Sequence, residues 1–173
     1  MSDAETHYGA AEAVVFDGLS PEQAASARPL VRQIVDDWLR QASEDRSLRP
    51  ETLVRIGLAD LRKAIAGRQG DQRLTNLRYL ALKPQVQRTS GRAFELAKRV
   101  ADGKTSRRDA SAEAGQLQRS IQALFQAVRT LPDDADQKRL LMRDLADADL
   151  ECRYVIEEKE GAISFRLNRH ING

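Results

Sequence analysis

Apolar residues along this chain recur mostly at steps of three and four, and the runs are broken at Pro, Gly and Asp. That period marks helices with one face turned inward. The clearest case is Ala110, Ala114, Leu117, Ile121, Leu124, Phe125 and Val128, which predicts a long helix beginning at Ser106. Just before it, Ser90 is placed to cap a helix with Phe94, Leu96, Ala97 and Val100 inward. That helix ends at Asp102-Gly103, where Gly103 suits a left-handed C′ position.

Nearer the N-terminus, Ser20-Pro21-Glu22-Gln23 reads as a helix start with Ser at the N-cap, Pro at the first position and Gln at the third. Pro29 is expected to end or kink this piece near Ala27. Beyond it, Leu30, Ile34 and Trp38, with their neighbours Val31, Val35 and Leu39, resume helical spacing. Pro50 opens a further helix with the stripe Leu53, Ile56, Leu61 and Ile65, closed by Gly67 and Gly70. Asp71 then caps one carrying Leu74, Leu77 and Leu80, which stops near Lys83-Pro84. After Pro132 and Asp133 comes a last helix with Leu140, Leu141 and Leu145.

In two places a strand reading is preferred. Ala13 to Phe16 is a short apolar run ended by Asp17-Gly18. Cys152, Tyr154 and Ile156 alternate, as do Ile163, Phe165 and Leu167, on either side of Glu158-Lys159-Glu160-Gly161. This predicts a β-hairpin, with residues 13–16 as the candidate third strand. The expected fold is therefore mainly α: a helical bundle of about six helices, two of them (Ser90 to Ala101 and the helix after Ser106) a long antiparallel pair, with a small C-terminal β-hairpin. Residues 1–12 are expected to be flexible, 13–150 to form the helical domain with its short leading strand, and 151–173 to supply a hairpin packed on that domain and a tail.

At 173 residues the chain can bury about 70% of its unfolded surface, so the core needs no metal or disulfide. Aromatics are only 5%, which favours aliphatic helix-on-helix packing. The lone Cys152 excludes an intrachain disulfide and a Cys-based zinc site, and it fits a reduced, cytoplasmic setting. The first residues lack a basic n-region with a long apolar run, and no apolar run approaches the roughly 20 residues that span a bilayer. A soluble cytoplasmic protein with no membrane partner is expected, bacterial in style from its Ala and Arg content.

Charge changes the picture more. The net charge is +2, yet Arg62 to Arg108 holds 13 basic and 3 acidic residues, a local excess of +10, leaving −8 for the rest. Such segregation points to a partner with an acidic surface, either nucleic acid or protein.

Chemistry is scarce. Gly103-Lys104-Thr105 resembles the end of a phosphate loop, but the position five before Gly103 is Lys98 rather than Gly, and the preceding segment reads as helix. A helix–helix turn with Gly103 at C′ and Ser106 at the N-cap explains it better. Arg107 and Arg108 then stand in the first turn of a helix, where the dipole disfavours cations, with Asp109 and Glu113 as local offsets. This makes the tip Lys104, Arg107 and Arg108 the first candidate for partner contact, with Arg88 and Arg92 behind it. Arg68, Arg73, Arg78, Lys83 and Arg88 fall five apart, about 140° per step on a helix, so they make no single stripe. Tyr79 and Phe94 are the only aromatics in the basic region, too few for base stacking. A winged-helix reading, with Asp136 to Leu150 as recognition helix, fails on charge, since Asp133 to Glu160 carries 10 acidic and 5 basic residues.

His7 and His170 lie near the termini, so a histidine base or histidine metal site is not expected. Asp36-Asp37, Asp133-Asp134-Asp136 and Asp144-Asp147-Asp149 read as solvated faces or helix caps, and Cys152 has no His beside it. No catalytic, cofactor or metal residue is assigned. The expected function is a non-catalytic helical partner-binding protein, an adaptor or regulator, using the basic middle region. The alternative is a DNA- or RNA-binding regulator that touches the nucleic-acid backbone with the same surface. A homodimer, through the hairpin edge or an exposed helix stripe, is a further expectation.

Overall fold

The computed structural model describes residues 3–132 and 135–157, and among these every regular element is a helix. The order is α1 (Asp3–Phe16), α2 (Pro21–Glu44), α3 (Pro50–Ile65), α4 (Gly70–Ala101), α5 (Arg107–Arg129) and α6 (Ala135–Glu157). The chain divides into two compact units, residues 1–81 and residues 82 onward.

In the first unit α1 packs on α2 and α3, and α2 on α3. Ala11 and Val15 of α1, Ala27, Val31, Ile34 and Val35 of α2, Leu61 and Ile65 of α3, and Leu74, Leu77 and Ala81 of α4 share one core. The α2 N-terminus forms the expected capping box: Ser20 accepts from the Gln23 amide, and the Gln23 side chain accepts from the Ser20 amide. In the second unit α5 lies along α6. The α5 stripe Ala110, Ala114, Leu117, Ile121, Leu124 and Val128 is buried as its spacing predicts, and Val86, Ala93, Leu96 and Ala97 of α4 are buried as well.

Neither expected strand is present among the described residues. The run from Ala13 to Phe16 closes α1, whose Ala-rich sequence carries the helix through it and places Ala11 and Val15 one turn apart in the core. Residues 3–12 form the body of that helix. Cys152 to Ile156 continues α6. The alternation there is overruled by a longer helical series, since Leu141, Leu145, Ala148, Cys152 and Val155 step by four and three and are all buried. Ile156, which a hairpin would have turned inward, is 37% exposed. The second arm of the expected hairpin, Ile163 to Leu167, lies outside the described residues, as do Asp133 and Asp134.

Pro29, expected to end or kink its helix, stands inside α2, and Pro84, where a helix was expected to stop, stands inside α4. Each removes one backbone donor. Around Pro29 the helix is held by the fully buried Ala27 and Val31, and after Pro84 by the fully buried Val86. The segments expected as separate helices at 71–83 and 90–101 are thus one helix, and Asp71 sits in its first turn rather than at its cap. The α3 stripe is also rotated from the expected one: Val54, Gly57, Leu61 and Ile65 face inward, while Ile56 is 51% exposed.

Candidate partner-binding site

The turn from α4 to α5 is built by its backbone. The Lys104 amide donates to the Arg99 carbonyl (2.9 Å) and the Gly103 amide to the Val100 carbonyl (3.1 Å), with Gly103 at φ 69°. This paired closure satisfies carbonyls that a helix end leaves open, and it needs the left-handed conformation glycine adopts without strain. Ser106 then caps α5 by accepting from the Asp109 amide (3.1 Å), while its hydroxyl donates to the Asp109 carboxylate (2.7 Å).

The three tip residues have different surroundings. Lys104 is 70% exposed at its side chain and approaches the Asp102 carboxylate at 3.8 Å. The Arg107 guanidinium lies over the Tyr154 ring of α6, 4.6 Å from its centroid, with its Nε buried and without a hydrogen-bond partner. This contact compensates a cation placed against the α5 dipole, because the ring face attracts the guanidinium when water is partly excluded. Arg108 is exposed. Of the two residues behind the tip, Arg88 is half-buried and Arg92 is 62% exposed at its side chain.

Helical geometry adds a grouping that the five-residue spacing hid. Arg88, Arg92 and Arg99 are four and seven residues apart, so they fall within about 40° of one another on α4 and span roughly 16 Å along it. Arg92 Nη2 lies 3.8 Å from Glu113 Oε1, and Arg99 Nη2 lies 3.3 Å from Glu113 Oε2. One carboxylate of α5 therefore stands between two guanidiniums of α4. Arg99 was missed in the sequence because its place near a helix C-terminus already accounted for it. The four- and seven-residue steps were the signal that could have found it.

Other members of the basic segment are spent inside the first unit. Arg73 donates to the carbonyls of Val15 (2.9 Å), Asp17 and Arg68, closing the C-terminus of α1, which has no basic residue in its own last turn. Arg68 donates to the Asn76 amide oxygen (2.8 Å), and the buried Asn76 in turn donates to the Ala64 carbonyl (2.6 Å) at the end of α3.

Three further ionisable groups are shifted by their surroundings. Tyr8 donates to Asp36, a bond that, with partial burial, raises the phenol pKa. Asp45 is held below the usual carboxylate range by hydrogen bonds from the Ser47 side chain and amide. Cys152 is buried and its thiol is pushed up to about 12, first by burial and then by the charges of Asp149 and Glu151. Asp149 is paired with Arg153 at 2.9 Å. Among the described residues no three His, Cys, Asp or Glu side chains gather as a metal site, and no helix is long and apolar enough to cross a membrane. Among the described residues, one open groove runs between α5 and α6 along Gln118 and Asp149, and another lies near Asp17 and Arg73. No family model matches the chain, and neither does any curated protein or solved structure.

Proposed function

We propose that this chain is a non-catalytic helical partner-binding protein, an adaptor or regulator of a cytoplasmic setting, that engages an acidic protein surface through the corner between α4 and α5. The observation that carries the reading is the excess of exposed cations there. Residues 88–113 hold seven basic and four acidic side chains, and Arg92, Arg99 and Lys104 remain 62%, 45% and 70% exposed despite their ion pairs. Exposed pairs of this kind contribute little to stability, so the charges remain disposable to a partner. Arg107 belongs to the scaffold through Tyr154 and is not part of the contacting set.

Affinity capture from an extract with wild type as bait, against an Arg92/Lys104/Arg108→Ala variant, tests the reading. A partner retained by wild type, lost by the variant and weakened by salt less steeply than a nucleic-acid duplex would be is the expected result. Fluorescence anisotropy with a labelled duplex tests the alternative, backbone contact to DNA or RNA. Tight binding that falls steeply with salt would replace the protein partner with nucleic acid.

A further inference from the structure

Resting on that reading of the α4–α5 corner, we infer that Arg92 and Arg99 form a clamp for a partner's carboxylate, and that Glu113 occupies this clamp as an internal competitor when the partner is absent. The geometry assigns the ligand class. Each guanidinium faces a different oxygen of the same carboxylate, at 3.8 Å for Arg92 and 3.3 Å for Arg99. Arg99 donates a hydrogen bond to Glu113 at 3.3 Å, and both separations are longer than the about 2.7–2.9 Å of the closest charge-assisted bonds. All three side chains stand well into solvent, at 62%, 45% and 39% exposure. A guanidinium carries five donors in a planar fork, and two such forks around one carboxylate leave most of that capacity for an incoming group.

The occupant is an Asp- or Glu-rich protein segment, because a carboxylate is what the clamp already holds. Binding exchanges one carboxylate for another. The side chain of Glu113 swings out, the partner's carboxylate takes its place between the two arginines, and the neighbouring cations at Lys104 and Arg108 meet the partner's remaining negative charge. Glu113 then sets a threshold, so that only a segment with several carboxylates displaces it.

The test uses the full chain and a fluorescein-labelled glutamate hexamer, read by anisotropy at low salt. Glu113→Gln removes the competitor and keeps the side-chain shape. Glu95→Gln is the control, since Glu95 is exposed, lies on the same face of α4, and its loss makes the same change in net charge. Glu113→Gln is expected to bind the hexamer about two- to fivefold tighter than wild type, the scale of one exposed ion pair released. Glu95→Gln is expected to stay close to wild type, and Arg92/Arg99→Ala to lose binding. Helical circular dichroism on each variant shows that the bundle is intact. Equal gains from Glu113→Gln and Glu95→Gln would overturn the clamp, leaving a surface that binds by general charge alone. Binding of a labelled duplex but not of the hexamer would overturn the carboxylate ligand in favour of phosphate. Capture of a protein partner without hexamer binding by any variant would overturn the clamp and keep the proposed function. Failure of both the capture and the hexamer would remove both.

Discussion

Arg73 in the first unit and Arg92 in the second come from the same basic stretch of sequence, yet they meet different chemistry. Arg73 donates to backbone carbonyls of Val15, Asp17 and Arg68, the first two at the C-terminus of α1, where the Leu19 amide also donates to the Phe16 carbonyl. Arg92 meets another side chain, Glu113, at 3.8 Å in solvent. The first use is structural because an open carbonyl at a helix terminus costs free energy wherever water is partly excluded. The second is nearly neutral for the fold. A local charge excess therefore does not identify a binding surface until each cation's partner is known.

The largest effect expected in the first unit comes from its closest packing rather than its charges. Gly57 faces the Trp38 indole, and an added Cβ would stand 2.3–2.6 Å from ring carbons. An indole is rigid and cannot yield as a flexible chain end does. Gly57→Ala is expected to destabilise the protein by about 3 kcal/mol, the upper range for overpacking. Thermal melts followed by helical circular dichroism read the loss in every variant, including those that lack Trp38, the chain's one tryptophan. A Trp38→Leu/Gly57→Ala double variant should recover part of the loss, and additive losses would show that the indole is not the obstacle.

Next, Arg73→Met keeps the aliphatic stem and removes the donors. A loss of about 2 kcal/mol is expected from several charge-assisted bonds on a half-buried side chain. A neutral result by urea denaturation would erase the contrast with Arg92.

The second unit has its own buried liability in Cys152. Its thiol stays protonated in the fold up to about 12, whereas in the unfolded chain it ionises near pH 9. Between those values the unfolded state releases a proton that the folded state retains, so the contribution is fully present below pH 9 and declines as pH rises toward 12. The slope is about 1.4 kcal/mol per pH unit from this group. Stability measured from pH 8 to 11 should fall less steeply in Cys152→Ala than in wild type, and equal slopes would show that burial does not hold the proton.

The helix caps sharpen the comparison from the opposite side, because here the units are alike. Ser20 caps α2 with a reciprocal bond from Gln23, and Ser106 caps α5 with Asp109 as its partner. Ser20→Ala and Ser106→Ala are each expected to cost about 1 kcal/mol in urea denaturation. A neutral Ser106→Ala would mean that the paired backbone closure at Gly103 holds the turn alone.

These caps were legible in the sequence because everything they need lies within four residues. The same holds for the α5 stripe and for Gly103. What was not legible depended on partners far along the chain. Val14, Val15 and Phe16 read as a strand until Ala27, Leu61 and Leu74 are seen to give Val15 a helical place in a common core. Pro29 reads as an end or a kink and Pro84 as a stop because the lost hydrogen bond is local, while the burial of Val31 and Val86 that offsets it is tertiary. The alternation at Cys152 competed with a four-three series of similar strength, and only the packing of α5 on α6 decides between them. In the candidate site, helical steps suffice to group Arg88, Arg92 and Arg99. They do not suffice to send Arg107 to Tyr154 or Arg73 to Val15.

The smallest effect is the most diagnostic. Arg92→Ala is expected to change stability by less than about 0.5 kcal/mol, because an exposed ion pair gains little after screening and side-chain ordering are counted. Set beside Arg73→Met, it separates what an arginine does for the fold from what it is free to do for a partner. A substantial loss at Arg92 would place its pairing with Glu113 among the contacts that hold α4 to α5. The corner would then be scaffold, as Arg107 is, and the cations left for a partner would reduce to those at the turn itself. A negligible loss leaves Arg92 with no structural duty that accounts for it, and any drop in partner capture on its removal then reports contact rather than misfolding.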